Sequence, residues 1–111
     1  MNYSLHNRYK VLQTQLFRKW FKALRDEIAK PAIVRRIERL SDGNPGDTKA
    51  IGNNIFELRF DIGKGYRVYY TYQGLTIIIL LLGGNKLSQD ADIKRAKKLA
   101  ERIKNGKINT I

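Results

Sequence analysis

The chain has 111 residues, of which 42% are hydrophobic and 29% are charged, and its formal net charge is +12. This size and apolar content suit one modest two-layer core, so we expect one domain over residues 1–111. The chain has no cysteine, and its single histidine is His6. These counts argue against disulfides, thiolate catalysis and a histidine-based metal site, so we predict no metal and no cofactor.

The positive charge indicates which partners the chain attracts. Lysine and arginine together number 22, against 10 aspartates and glutamates. Such a field draws polyanions, so we expect RNA, DNA or an acidic protein as a partner. No apolar run reaches about 18 residues and the start lacks the apolar segment of a secretory signal, so we expect a cytoplasmic protein with no membrane partner. Residues 1–8 and 106–111 are expected to be flexible ends.

The first half of the chain predicts a short strand followed by a helical hairpin. Residues 9–13 have the composition of a strand, and Thr14 is placed to cap a helix over 14–24. Its apolar residues recur at spacings of three and four, which makes Trp20 a core anchor rather than a base-stacking platform. A second helix is predicted over about 31–41, and a turn follows it. The two helices share a need for one apolar partner surface.

A long loop is predicted between the second helix and the next strand. Residues 43–47 are rich in turn formers, and the loop runs on to Asn53 with Lys49 at its middle. A loop of this length is either a functional element or a plain connector from helices to sheet.

Two strand-like runs around residues 57–60 and 66–72 carry the most informative pattern. Alternation places Leu58, Phe60, Tyr66, Val68, Tyr70 and Tyr72 on one face and Glu57, Arg59, Arg67 and Tyr69 on the other. We expect the first face to be core and the charged face to be open. If Phe60 pairs with Tyr66, Arg59 lies opposite Arg67, and an anion such as a phosphate would relieve the repulsion. The alternative is two solvated arginines on an open sheet face.

The remainder predicts a central strand and a last helix. Residues 75–82 are almost wholly apolar, which is typical of a strand covered on both faces. Gly83-Gly84-Asn85 ends this strand, and Lys86 follows near the arginine face. Ser88 or Asp90 is placed to cap the last helix. The prediction is an α+β fold in the order β-α-α-β-β-β-α, with a mainly antiparallel sheet, a helical hairpin on one face and a C-terminal helix.

Four sequence blocks accompany this order of elements: Gly43-Asn44-Pro45-Gly46-Asp47 with Lys49, Glu57-Leu58-Arg59, Gly65-Tyr66-Arg67-Val68-Tyr69-Tyr70, and Leu81-Leu82-Gly83-Gly84-Asn85-Lys86 with Gln89, Asp92-Ile93 and Ala96. The order and the blocks together resemble the RelE/ParE superfamily of toxin–antitoxin toxins, and more narrowly the HigB-like addiction-module killers. The likeness covers about residues 8–104 and is far more specific as a combination than in any one block. One departure is Asn85, where that subfamily commonly has aspartate.

The resemblance implies a small RelE-like toxin that cleaves messenger RNA on the ribosome without a metal. It also implies silencing by a cognate antitoxin, with DNA contacted only through the antitoxin complex. In such enzymes the substrate 2′-hydroxyl attacks the adjacent phosphate. Arg59, Arg67 and Lys86 would be the catalytic residues, with the two arginines clamping the phosphate. Lys49, Lys64 and Tyr69 would contact RNA, although packing is the alternative for Tyr69.

Two other functions share these features. ParE-like relatives are thought to poison DNA gyrase by binding it, and fold alone does not separate them from nucleases. A non-catalytic nucleic-acid binder would also be explained by charge alone. The convergence of two arginines with Lys86 favours the nuclease, because a protein binder has no need of it.

Overall fold

The computed structural model describes residues 8–106 as an α+β fold, as predicted. His6 and most of the two ends expected to be flexible lie outside these residues. Within them, no helix has both the length and the apolar character needed to cross a membrane. In chain order the elements are β1 Lys10–Gln13, α1 Gln15–Ala23, α2 Ala29–Ser41, β2 Thr48–Ala50, β3 Ile55–Arg59, β4 Arg67–Gln73, β5 Ile77–Gly84 and α3 Gln89–Lys104.

The five strands form one sheet in the order β1-β5-β4-β3-β2. β1 and β5 are parallel, and the other three pairings are antiparallel, as predicted. The strand β2 was not predicted, because the sequence indicated a continuous loop up to Asn53. In the structure Lys49 pairs with Glu57, so this segment extends the sheet at its edge. Three mostly exposed residues are too few to show an alternating pattern.

Helices α1 and α2 pack on the face that the sequence predicted to be core. The hydroxyl oxygen of Thr14 accepts a 3.1 Å hydrogen bond from the Phe17 amide, which confirms the predicted cap of α1. Asp26 accepts a 3.0 Å hydrogen bond from the Ala29 amide, so α2 begins slightly earlier than predicted. Each fully buried aliphatic side chain here contributes roughly 1.5–3 kcal/mol. This core comprises Phe17, Ala29, Ile33, Leu40, Leu58, Phe60, Tyr66, Val68, Tyr70, Ile78 and Leu80.

Helix α3 covers the opposite face of the sheet, and this corrects one prediction. The face of Glu57, Arg67 and Tyr69 was expected to be open, yet all three side chains are buried. The physical reason is that α3 has its own apolar stripe and the first face is already occupied by two helices. Strand β5 lies inside the sheet, between β1 and β4, and contributes side chains to both cores. This confirms the prediction of a strand that is covered on both faces. The second core comprises Ile55, Tyr69, Ile79, Leu81, Leu82, Ala96, Leu99 and Ile103.

The two glycines at the end of β5 let both helical layers approach the sheet. A Cβ atom at Gly83 would collide with the ring of Trp20 from α1. On the opposite face, a Cβ atom at Gly84 would collide with the carboxylate of Asp92 from α3. Trp20 is half-buried against the first core, in agreement with its predicted anchoring role. The strand end that leads to Lys86 is therefore held from both sides.

Candidate functional site

Arg59 and Arg67 face each other across β3 and β4. Arg59 is the last residue of β3 and Arg67 the first of β4, and the two are register partners, as predicted. Their surroundings differ, because the Arg59 side chain is 40% exposed and the Arg67 side chain only 6%. Arg59 is therefore the member of the pair that a large ligand can reach.

The carboxylate of Glu57 lies between the two guanidinium groups. Its Oε1 is 3.9 Å from Nε of Arg59, and its Oε2 is 3.9 Å from Nε of Arg67. The Gln89 side-chain amide donates a 2.8 Å hydrogen bond to the same Oε2. The anion that relieves the arginine repulsion is therefore internal, whereas the sequence suggested a bound phosphate. The alternation that put Glu57 on the face of Arg59 was the signal that could have indicated this counter-ion.

Arg67 is fixed beneath the surface by the backbone of its own hairpin. Its Nη1 donates hydrogen bonds of 3.1 Å to the carbonyl oxygens of Gly65 and Tyr66. Its Nε is buried and has no hydrogen-bond partner within residues 8–106. The expectation of an Arg67 clamp on an open sheet face was therefore wrong, because α3 and the hairpin enclose this side chain.

Lys86 lies beside the arginine pair. A Cβ atom at Gly65 would come within 2.8 Å of Cδ and Cε of Lys86, so the lysine stem crosses this glycine. The backbone of Gly65, at φ 71°, lies in the left-handed region that glycine adopts readily. The Lys86 amide also donates a 3.4 Å hydrogen bond to the carbonyl oxygen of Lys64. Lys86 is an exposed residue and thus lies at the surface beside Gly65, whose carbonyl oxygen holds Arg67.

The three residues predicted to contact RNA have different positions. Lys49 is exposed on β2, directly across from Glu57, and Lys64 is exposed in the loop between β3 and β4. Tyr69 is fully buried in the second core, so it has no free ring face for a base, and that prediction was wrong. Tyr69 is a packing residue, which was the alternative to RNA contact in the sequence analysis. Burial raises the pKa of the Tyr69 phenol, and the negative charge of Glu57 raises it further.

The side chain of Asn85 stabilises the turn that follows β5. The side-chain oxygen of Asn85 accepts hydrogen bonds from the amides of Leu87, at 2.9 Å, and Ser88, at 3.3 Å. An aspartate oxygen accepts in the same way, so the departure from the resembling subfamily preserves this turn. Ser88 precedes α3 but does not cap it with its side chain, and its hydroxyl instead donates to Asp92, at 2.5 Å.

Arg36 supports the site from the helical layer, which the sequence did not indicate. Its Nη1 donates to the carbonyl oxygen of Arg59 at 3.0 Å, and its Nη2 to that of Asp47 at 2.8 Å. The guanidinium carbon also lies 4.7 Å from the centre of the Phe60 ring. Burial lowers the pKa of Arg36. Several other cations on α2 have the same appearance in the sequence, so no pattern distinguishes this one.

The arrangement contains cations and a buried carboxylate, and it offers no ready metal ligands. Within the described part of the chain, no three histidine, aspartate or glutamate side chains come together as a metal site. Arg59 and Lys86 can neutralise a phosphoryl group from the surface, while the buried Arg67 offsets the negative charge of Glu57 beneath them. The chemistry that this set supports is the recognition of phosphate and the stabilisation of additional negative charge on it.

One of the comparisons with known proteins identifies a family. The sequence model of the phage-derived Gp49-like proteins (DUF891) matches residues 19–105. A Haemophilus influenzae protein described as uncharacterized is 47% identical over 93 residues, which cover 84% of this chain and 94% of the relative. No solved structure matches the chain. The chain belongs to the phage-derived Gp49-like (DUF891) family, a toxin-like family related to the RelE/ParE-type toxins.

Proposed function

We propose that the chain is a HigB-like toxin of a type II toxin–antitoxin module and that it cleaves messenger RNA held on the ribosome. One observation carries the proposal. Arg59 and Arg67 lie opposite each other on neighbouring strands with Glu57 between them, and Lys86 lies nearby against Gly65. Membership in a toxin-like family supports the biological part of the proposal.

The proposed reaction is a transesterification within the RNA. The 2′-oxygen forms a bond to phosphorus, the bond from phosphorus to the 5′-oxygen breaks, and a 2′,3′-cyclic phosphate results. One proton leaves the 2′-hydroxyl and one is delivered to the departing 5′-oxygen. The protein must also stabilise the extra charge of the pentacovalent transition state.

Each cation has a distinct role in this proposal. Arg59, with 40% of its side chain exposed, binds the phosphoryl oxygens through its forked N–H groups. Lys86 adds a mobile ammonium group from the turn after β5. Arg67 acts from beneath by offsetting the negative charge of Glu57, so that the positive charge of Arg59 remains available to the phosphate. Lys49 and Lys64, both exposed, guide the RNA backbone.

The ribosome supplies what the site lacks. Cleavage requires the 2′-oxygen, the phosphorus and the 5′-oxygen to lie in line, and positioning of this kind accounts for much of the rate in such reactions. The exposed cations bind phosphate but do not bend the RNA. We therefore propose slow cleavage of free RNA and faster cleavage of a message held in the ribosomal A site.

The net charge of the chain indicates the kind of antitoxin that would silence it. At +12 the chain favours an antitoxin whose binding segment is acidic or lays an apolar helix on the basic surface. Electrostatic steering would accelerate association at low salt. In this proposal the toxin approaches DNA only as part of the antitoxin complex.

Mapping of message ends tests the proposal. The chain is induced in growing cells, new 5′ ends are mapped, and purified protein is added to ribosomes carrying a defined message. New ends within translated regions, together with cuts in the purified system, are the expected result. Gyrase inhibition with intact messages would replace the proposal with the ParE-like function, and RNA binding without cleavage would replace it with a non-catalytic binder.

A further inference from the structure

A second surface feature lies next to the arginine pair, and among the residues that line it only Lys64 has a role in the proposed function. It is an open pocket of about 520 Å³ between the end of α1 and the loop that joins β3 to β4. This volume is in the range of pockets that hold small ligands, roughly 300–1,000 Å³. Its lining includes Trp20, Arg25, Asp26, Lys64, Tyr66 and Asn85.

The pocket and the arginine pair are separated by one short stretch of backbone. Lys64 and Tyr66 line the pocket, while the carbonyl oxygens of Gly65 and Tyr66 accept the hydrogen bonds from Arg67. On the neighbouring turn, Asn85 lines the pocket and the next residue, Lys86, crosses Gly65. An extended chain bound at the arginine pair would therefore continue directly into the pocket.

The lining has the chemistry that proteins use for single-stranded nucleic acid. The rings of Trp20 and Tyr66 lie 6.4 Å apart with their planes at 66°, and Trp20 is the less buried of the two. Arg25 and Lys64 are exposed cations at the rim. Aromatic rings that accept a base, next to cations that accept the phosphate, are the usual elements of single-strand recognition.

The acidic residue in the pocket does not oppose this assignment. Asp26 accepts hydrogen bonds from the amides of Ile28 and Ala29 and from the Tyr66 hydroxyl, at 3.0–3.2 Å. The hydrogen bond from Ala29 is the largest cause that lowers the pKa of Asp26. Its carboxylate is thus engaged in starting α2, and Arg25 and Lys64 together outweigh its charge.

We propose that this pocket binds the nucleotide adjacent to the cleaved phosphate in single-stranded RNA. The base packs against Trp20, and the phosphate of that nucleotide contacts Lys64 and Arg25. The proposal rests on the proposed function and extends it, because it assigns a nucleotide subsite to the same RNA. It also gives Trp20 a second role in addition to its packing against Gly83.

The chain contains one tryptophan, so tryptophan fluorescence, excited selectively over the six tyrosines, reports on Trp20. The probe is a short single-stranded RNA with a 2′-deoxy nucleotide at the cleavage position, titrated into the full chain. Binding should quench Trp20 fluorescence. Lys64→Ala and Arg25→Ala should each weaken binding about three- to tenfold more than Lys10→Ala, a matched loss of charge on the exposed β1 edge.

The outcomes separate this inference from the proposed function. Two results together would overturn the subsite and leave the nuclease intact. The 2′-deoxy probe would bind without a change in Trp20 fluorescence and equally well to both pocket variants and Lys10→Ala, and the matching RNA with its 2′-hydroxyl would be cut. Failure of any RNA to bind or be cut would overturn both. Quenching by an antitoxin but not by RNA would also overturn the subsite, because the pocket would then be a protein interface.

Discussion

The carboxylate of Glu57 lies 3.9 Å from the guanidinium group of Arg67, and both side chains are buried beneath α3. Removing one charge of a buried pair leaves the other without compensation, which typically costs about 3 kcal/mol. We predict that Glu57→Gln lowers the free energy of unfolding by about this amount. Chemical denaturation measures the change.

A double-mutant cycle separates the ion pair from the loss of packing. Glu57→Gln combined with Arg67→Gln should be less destabilising than the sum of the single changes, because no isolated charge remains. Glu101→Gln, on an exposed site of α3, serves as the control and should change stability by less than about 0.5 kcal/mol. Strictly additive single changes would show that the two residues are not coupled.

Substitution of Gly84 should have a steric effect that substitution of Gly74, in an open turn, does not share. A Cβ atom at Gly84 meets Asp92 and Ser88, so Gly84→Ala should destabilise the fold by about 1–3 kcal/mol. Gly74, at φ 65°, has open space around it, and Gly74→Asn is the control because asparagine tolerates this backbone region. Thermal unfolding compares the two variants. Equal melting temperatures would contradict the tight approach of α3 to β5.

Replacing Arg36 should reduce local order in the backbone near the site. Arg36→Ala removes the guanidinium donor to the carbonyl oxygens of Asp47 and Arg59, at a cost of about 1–2 kcal/mol. The Asp47 oxygen keeps a 3.0 Å hydrogen bond from the Arg59 amide. Hydrogen exchange should accelerate over residues 43–49. Arg35→Ala, an exposed neighbour on α2, should leave exchange unchanged. Equal hydrogen-exchange protection of residues 43–49 in the two variants would show that Arg36 does not stabilise this segment.

Ionisation of the buried Tyr70 should lower the stability of the fold at alkaline pH. Burial raises the pKa of Tyr70 from 10.0 to about 12 in the folded chain, where its hydroxyl lies 2.9 Å from that of Thr48. The folded state retains the proton that the unfolded state releases, so this contribution is complete below pH 10 and is lost as the pH rises to about 12.

The test for Tyr70 compares the unfolding free energies of wild type and Tyr70→Phe across this pH range. The phenylalanine variant lacks the titrating group, so its stability should fall less steeply. Parallel curves would show that Tyr70 does not titrate with the raised pKa. The buried Tyr69 contributes equally to both proteins and cancels in the comparison, whereas the Tyr70 hydroxyl lowers the pKa of Tyr72, so Tyr72 contributes to the difference.

The sequence predicted what depends on alternation and spacing. The pairing of Arg59 with Arg67 and the packing of α1 and α2 on the face of Leu58 and Val68 are confirmed. These features follow from period 2 in strands and from spacings of three and four in helices, which a single sequence displays directly.

The errors share one physical origin, which is that a pattern shows which residues share a face but not what covers that face. Arg67 and Tyr69 appeared exposed because nothing in the sequence places α3 above them. The strand β2 was missed because pairing with β3, rather than composition, makes Lys49 extended. Arg36 was missed because its contacts are to backbone carbonyls far away in sequence.

The central claim is that Arg59 contacts the phosphate that is transferred, and the cleavage rate of a ribosome-bound message by Arg59→Ala tests it most directly. The control is Arg18→Ala, an exposed arginine on α1, and circular dichroism verifies that both variants fold. We predict a loss of about 100- to 1000-fold for Arg59→Ala, an intermediate rate for Arg59→Lys, which keeps the charge without the fork, and an unchanged rate for Arg18→Ala. Cleavage by Arg59→Ala at the wild-type rate would contradict the account.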